Sequence, residues 1–397
     1  MDKCPDAGYC RIMSDTIKEL TIEGYRSIRK LEKFKLRSLN VLIGANGAGK
    51  SNFVSFFRLL REMAEQRLQI HVQTNEGGAD ACLYMGPKVT DRFAAKICLD
   101  ENSYKFVLKP TVENQFVFTG DDTLFQRDGY VHELKFGYGH MEALLKNHAT
   151  ESGADTGPGT PFQVYSAISR LVVYHFHDSS LTAGVRRQRP INDDEMLRPD
   201  AENLAAYLFR ITQTHPRIYT RIRDIVQLAA PFLDDFKLRP FPRNPELIQL
   251  EWLQTGSDRP FLAHQLSDGT LRFICLVTAL LQPDRPATMI FDEPELGLHP
   301  YAVELLGDLF KQASSDANRQ IVISTQSAEL VNEFEPEDIV VVDRHAGESV
   351  FRRLAAKPLE GWLEEYSLGQ LWRKNAFGGR PQPEQTPQFA PDGDIGS

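Results

Sequence analysis

Two segments of this 397-residue chain carry residue types and spacings able to do phosphate chemistry. The first, Gly44-Ala45-Asn46-Gly47-Ala48-Gly49-Lys50-Ser51, fits GxxxxGK[ST] in full, with Asn52 next in line. Glycines there let consecutive backbone N–H groups wrap a β-phosphate, the lysine reaches the β and γ oxygens, and the serine hydroxyl can ligate Mg2+. About 240 residues later, Asp292 and Glu293 end the apolar run TMIF. Asp292 is placed to bind Mg2+, directly or through water. Glu293 is placed to polarise the water that attacks a γ-phosphate, since phosphoryl transfer needs an oriented nucleophile as well as charge neutralisation.

The surrounding elements must present both segments at one edge. FKLRSLNVLIG ends in a short apolar run that reads as a buried strand entering the glycine loop, and SNFVSFFRLLREMAEQRL repeats apolar residues at helical spacing. Downstream, ATMIFDEPE, RQIVISTQS and DIVVVDR read as buried strands, with the helical AVELLGDLFKQAS between the first two. This alternation predicts an α/β fold with a mostly parallel core sheet. Residues 80–136 alternate apolar and polar positions between turn signals, which predicts an antiparallel layer beside the core. The expected organisation is a flexible lead (1–15), the first part of the core (16–75), the antiparallel layer (76–148) and a mobile loop (149–160). An inserted helical lobe (161–245), the second part of the core (246–375) and a disordered tail (376–397) follow.

Composition sets the outer limits. Apolar residues make up 42% and charged residues 25%, as in an ordinary globular protein. The net charge of -9 argues against a surface that is basic throughout, as a small nucleic-acid-coating module would have. Five scattered cysteines with no CxxC pairs fit a reducing compartment and no zinc site. No run approaches the length of a membrane span and no leader pattern opens the chain, so a cytoplasmic protein away from the membrane is expected.

Further segments carry a family resemblance. Leu266-Ser267-Asp268-Gly269-Thr270, 25 residues before Asp292, resembles the signature motif of ATP-binding-cassette (ABC) type ATPase heads of the SMC, RecF and OLD-like kind. Pro294-Glu295-Leu296-Gly297-Leu298-His299-Pro300 resembles their D-loop, and Gly24-Tyr25-Arg26-Ser27-Ile28 their opening. The resemblance implies a P-loop NTPase of ABC-type head architecture that uses ATP and Mg2+. It implies that Arg26 lines the nucleotide base, and that Ser267 and Gly269 of one copy face the γ-phosphate held by another, giving a homodimer with ATP sandwiched in its interface. Where the family carries a switch histidine, this chain has Gln326, which can sense a phosphate or a water but cannot take a proton. The family's Q-loop glutamine has three candidates: Gln69, Gln73 and Gln115.

About 215 residues separate the phosphate loop from the signature, too few for long coiled-coil arms, and with 54 residues after Asp343 the nuclease domain of OLD-like proteins is not expected. His175 and His177, two apart, are either a metal pair or packing residues. Arg186, Arg187, Arg189 and Arg198, with Arg217, Arg221 and Arg223, form either a basic surface or a solvated face. The expected function is ATP hydrolysis that drives a compact clamp or switch in DNA repair or antiviral defence, with duplex DNA and an effector such as a nuclease as candidate partners. The alternatives are the ATPase subunit of a transport system and a slowly hydrolysing ATP-binding scaffold for an effector.

Overall fold

Five short runs, each apolar at nearly every position, can bury their side chains only if both faces of the sheet they form are covered. In the computed structural model, which describes residues 16–127, 130–152, 159–178, 180, 182–316 and 318–379, these runs are adjacent parallel strands. The expected lead (1–15) and nearly all of the tail lie outside the described residues, as do 153–158 of the expected loop.

The chain opens with β1 (Glu19–Tyr25) and β2 (Ile28–Lys35), followed by β3 (Leu39–Ile43) and helix α1 (Lys50–Ala64). Short turns α2 (Leu68–His71) and α3 (Ala79–Cys82) flank a π-helical turn, Val72–Glu76. Strands β4 (Phe93–Cys98), β5 (Asn102–Pro110), β6 (Phe116–Arg127) and β7 (Tyr130–Lys135) lead to α4 (Leu145–Ser152), α5 (Thr160–Ser169) and β8 (Leu171–Tyr174). The middle segment holds α6 (Leu204–Thr214) and α7 (Pro216–Ala229). It also holds the short strands β9 (Arg189–Pro190), β10 (Leu233–Phe236), β11 (Pro240–Phe241), β12 (Asn244–Ile248), β13 (Glu251–Gln254) and β14 (Pro260–Leu262). Then come α8 (Asp268–Leu281), β15 (Thr288–Asp292), α9 (Pro300–Ser314), β16 (Gln320–Ser324) and α10 (Ala328–Val331). The described chain closes with β17 (Ile339–His345), β18 (Glu348–Arg353), α11 (Glu360–Leu363) and α12 (Leu368–Arg373).

The core sheet has the order β18-β17-β3-β16-β15-β8, parallel throughout except for β18. Its two faces are separated by strict alternation. Val41, Phe291, Ile323 and Val341 point into a cluster shared with α6 to α9, while Leu42, Ile290, Val322 and Val340 point into a second cluster built around α1. The other large sheet, β2-β1-β4-β5-β6-β7, is antiparallel and packs on the far side of α1. Helix α1 is therefore held between two sheets, and Phe53, Phe56 and Phe57 are fully buried.

Two segments sit elsewhere than their sequence position suggested. Leu171–Tyr174, inside the range expected for the helical lobe, is the edge strand β8 of the core, in parallel register with β15. Four residues are too few to display a period, and only pairing with β15 defines them as a strand. Strands β1 and β2, inside the range expected for the nucleotide core, belong to the antiparallel sheet. Their half-polar alternation suits a sheet with one solvated face. Residues 149–152 complete α4 and Thr160 opens α5.

Truncating Phe56 tests how far the layers depend on α1, because its ring meets Tyr25, Phe57 and Phe93 at centroid distances of 6.0, 5.6 and 6.2 Å. Phe56→Ala is expected to cost about 3–5 kcal/mol in a denaturant titration. A loss below about 1 kcal/mol, the size of an ordinary surface substitution, would show that the layers do not depend on it.

Candidate nucleotide site

The parallel strands open their carboxyl ends at one edge, and the glycine loop leaves β3 there. Gly49 takes φ 114°, and a Cβ at this position would run into the Ser349 hydroxyl. No other residue type fits that close approach without displacing β18. The Ser349 Oγ lies 2.6 Å from the Ala48 carbonyl oxygen and 2.7 Å from the Ser27 Oγ, and the Asn52 side-chain amide donates to Ser27 Oγ at 2.6 Å. The loop is thus braced from below by β18 and by the β1–β2 turn.

Lys50 is buried at the first turn of α1 and folds back on the loop, donating to the carbonyl oxygens of Gly44 (2.7 Å) and Ala45 (3.1 Å). Burial pulls its ammonium below the usual lysine range, and the carboxylates of Glu293, Asp292 and Glu295 oppose that shift. A pocket of about 470 Å3 gathers Lys50 and Ser51 with Glu293, Gln326 and Arg344 around the loop.

The acidic pair arrives at the end of β15. Asp292 is paired in register with Ser324, and Glu293 follows in a left-handed conformation, φ 45°, uncommon for a non-glycine residue and typical of functional turns. Its backbone N–H donates to the Ser324 carbonyl at 2.7 Å. Its carboxylate accepts the side-chain amide of Gln326. Glu295, buried, accepts from the Thr325 hydroxyl (2.7 Å) and the Gln326 backbone N–H (3.0 Å), so the turn carrying Glu293 and the turn carrying Gln326 are joined twice. Burial raises the Glu295 carboxyl above its ordinary range.

Buried Asp292 Oδ1 finds no hydrogen-bond partner among the described residues, nor does Ser324 Oγ beside it, while the Ser51 hydroxyl sits on an exposed residue. An orphaned carboxylate oxygen, an exposed serine and a nearby buried lysine form the donor set expected for Mg2+ with a polyphosphate, and these residues fit both.

The remaining expected site residues separate into two groups. Ser267 caps α8, its Oγ accepting from Thr270 N–H at 3.1 Å, and Ser267 is exposed with Gly269 partly so. Neither lines the pocket around the phosphate loop. Arg26 reaches Asn52 Oδ1 at 3.4 Å, but its guanidinium is committed to Glu76, which also contacts His71 Nε2 at 3.0 Å. This placement departs from the expected base contact: the buried Glu76 carboxylate holds the cation behind Asn52. Gln69 donates to the Phe116 and Met141 carbonyls and Gln73 to that of Asn114. Gln115 bonds through its backbone to Thr111, so all three serve the antiparallel layer.

His175 and His177 stack at 4.0 Å beyond β8, and His177 Nε2 donates to the Asp292 carbonyl at 2.9 Å. The stacked rings and the commitment of His177 Nε2 to a backbone carbonyl fit the packing alternative for this pair. The arginines around the middle segment are largely spent within the chain. Arg186 is buried against Asp268, Arg189 pairs with Glu202, Arg198 with Asp193 and Glu202, and Arg223 with Asp224.

Two residues escaped sequence reasoning. Arg344, at the end of β17, donates to the Gly47 carbonyl at 3.1 Å and lines the pocket; its signal was its place at the carboxyl end of a predicted parallel strand. Arg272 stands as a lone charge within the otherwise apolar run of α8 and is buried there.

Comparison with known proteins places this geometry. The fold matches an SMC head bound to the C-winged helix domain of ScpA with a TM-score of 0.56 at 15% identity, covering 87% of this chain and 99% of that one. It matches the Pyrococcus furiosus Smc head domain with an extended coiled coil, bound to the C-terminal domain of ScpA, with a TM-score of 0.51 at 16% identity, covering 88% and 98%. At these identities the likeness is one of fold. No curated protein matches the sequence. Among the described residues, no helix is long and apolar enough to cross a membrane. A family model described as "AAA domain, putative AbiEii toxin, Type IV TA system" matches residues 39–81 and 152–332, which include the phosphate loop, the Ser267 motif and the acidic pair. The chain belongs to that AAA family and has an SMC-head-like, ABC-type ATPase fold, and among the described residues no helix exceeds the 15 residues of α1 and α9.

Proposed function

We propose that this chain binds ATP with Mg2+ in the phosphate-loop pocket and hydrolyses it across an interface between two copies, working as a compact clamp or switch. The observation that carries the reading is a division within one protomer. Lys50, Ser51, Glu293 and Gln326 gather in one pocket, while the exposed, capped helix start at Ser267 lies outside it. A helix amino end with unspent N–H groups is an anion site, and a second copy supplies the phosphate for it.

The roles follow from position. The phosphate loop and Lys50 hold the β- and γ-phosphates, and Ser51 and Asp292 are the residues that would hold Mg2+. The ion, when bound, neutralises charge between those phosphates. Glu293 orients the attacking water and draws off its proton. Gln326 holds the Glu293 carboxylate in the lone protomer, which favours slow hydrolysis until a second copy closes on the site. Arg344 adds a cation at the phosphate loop.

A role in DNA repair or antiviral defence, in the cytoplasm and with duplex DNA or an effector protein as partner, rests on kinship with the SMC-head fold. Arg189, Arg198 and Arg223 of the middle segment are paired with acids, which lowers the positive charge available to phosphates and favours an effector protein over duplex DNA as the partner.

Phosphate release from ATP, followed against protein concentration, tests the reading. Activity per protomer is expected to rise with concentration and to vanish in Ser267→Arg while that variant still binds nucleotide. Concentration-independent activity that survives Ser267→Arg would overturn the composite site. Lys50→Ala is expected to lose nucleotide binding altogether in a fluorescent-nucleotide titration. In the same assay Arg344→Ala should weaken binding by about 1.5–3 kcal/mol, tenfold or more in Kd, the worth of a charged hydrogen bond. Arg26→Ala should leave Kd unchanged and lower the melting temperature. The opposite ranking would return Arg26 to the nucleotide.

A further inference from the structure

Arg272 is buried in α8, one turn past the capped start at Ser267, where burial pulls its guanidinium below the usual arginine range and the carboxylates of Asp268 and Glu295 oppose that shift. A buried guanidinium is costly unless its donors are fully used. Its Nε donates to the Phe176 carbonyl at 2.9 Å and its Nη2 reaches the His177 carbonyl at 3.5 Å, while Nη1 donates to the Leu296 carbonyl. Each acceptor belongs to a segment that touches the nucleotide site. Leu296 stands in the turn carrying Glu293, and its N–H bonds to the Glu293 carbonyl at 3.3 Å. His177 returns to the site through its donation to the Asp292 carbonyl at 2.9 Å, an acceptor that requires the proton on Nε2.

A third tie closes the arrangement. Gly269 packs so tightly on the Gly297 carbonyl that a Cβ there would collide with it. The start of α8, the Glu293 turn and the end of β8 therefore cannot shift independently. Under the sandwich reading, the start of α8 covers the partner's nucleotide, whereas Asp292 and Glu293 act on the protomer's own.

We propose that Arg272 is a positioning residue that couples the two ATP sites of the dimer, with His177 as its second arm. Docking of Ser267 on the partner's γ-phosphate moves α8, and the Arg272 fork transmits that movement to the Glu293 turn and, through His177, to Asp292 of the same protomer. This inference rests on the sandwich reading and deepens it.

The test uses the full chain with three substitutions: Arg272→Met, which removes the fork while keeping an unbranched stem, Arg272→Lys, and His177→Phe, which lies outside α8. Three readouts are taken for each: Kd for a fluorescent ATP analogue, the ATP dependence of phosphate release, and ATP-dependent mass in the Glu293→Gln background. Wild-type hydrolysis is expected to be cooperative in ATP with a Hill coefficient approaching 2. Arg272→Met and His177→Phe should bind the analogue within twofold of wild type and still dimerise, but with a Hill coefficient of 1 and kcat lowered at least tenfold. Arg272→Lys should not restore cooperativity, since an ammonium cannot hold three carbonyls in a planar fork. If Arg272→Met fails to fold, as a melt would show, His177→Phe decides alone. Wild-type cooperativity in a variant that dimerises overturns the coupling by itself, as does non-cooperative hydrolysis by the wild type. Absence of an ATP-dependent dimer overturns the sandwich, and the coupling with it.

Discussion

Because β8, β15, β16 and β3 run parallel in fixed register, their carboxyl ends open at one edge, and side chains distant in sequence must converge there. Asp292 is matched with Ser324, and Ser324 with Leu42, two residues before the glycine loop begins. Shifting β15 by one residue would exchange its two apolar faces as well as move the acids, so burial of Ile290 on one side and Phe291 on the other enforces the chemical alignment. The phosphate loop leaves this edge from β3, and it is braced by contacts with Ser349 and Ser27 from other layers.

Around that edge, polar groups are distributed unequally. Glu295 spends one oxygen on the Thr325 and Gln326 turn, and Gln326 in turn holds Glu293, so the acidic turn and the Gln326 turn form one unit. Among the described residues Asp292 Oδ1 by contrast has no hydrogen-bond partner, and Lys50 donates to carbonyls of its own loop. A site with such reserved capacity gains more from a polyphosphate and a divalent cation than it loses in giving up those carbonyls.

The chemistry of this chain was readable where local spacing carries it. The glycine loop, Lys50, Ser51 and the acids at the end of an apolar strand are contiguous patterns, and the alternating segments 80–136 announced an antiparallel layer. What escaped was tertiary. Strand β8 is four residues long and acquires its identity by pairing with β15. Arg26 sits in a motif that resembles a nucleotide contact, but a buried carboxylate from the π-helical turn, Glu76, takes its guanidinium. The arginines of the middle segment left open the choice between a basic surface and a solvated face because the acids that pair with several of them are scattered: Glu202 is near in sequence, whereas Asp268 is brought in by the fold. Arg272 could have been suspected as a lone charge in an apolar helix; its three acceptors could not.

A composite site of this kind requires that ATP join two copies of the chain. Mass by light scattering of the Glu293→Gln protein, with and without ATP and Mg2+, addresses it most directly. Conversion of a 45.0 kDa species to one of twice that mass on adding ATP is the predicted result, and a protein that binds ATP to saturation yet remains at the mass of one chain would contradict it.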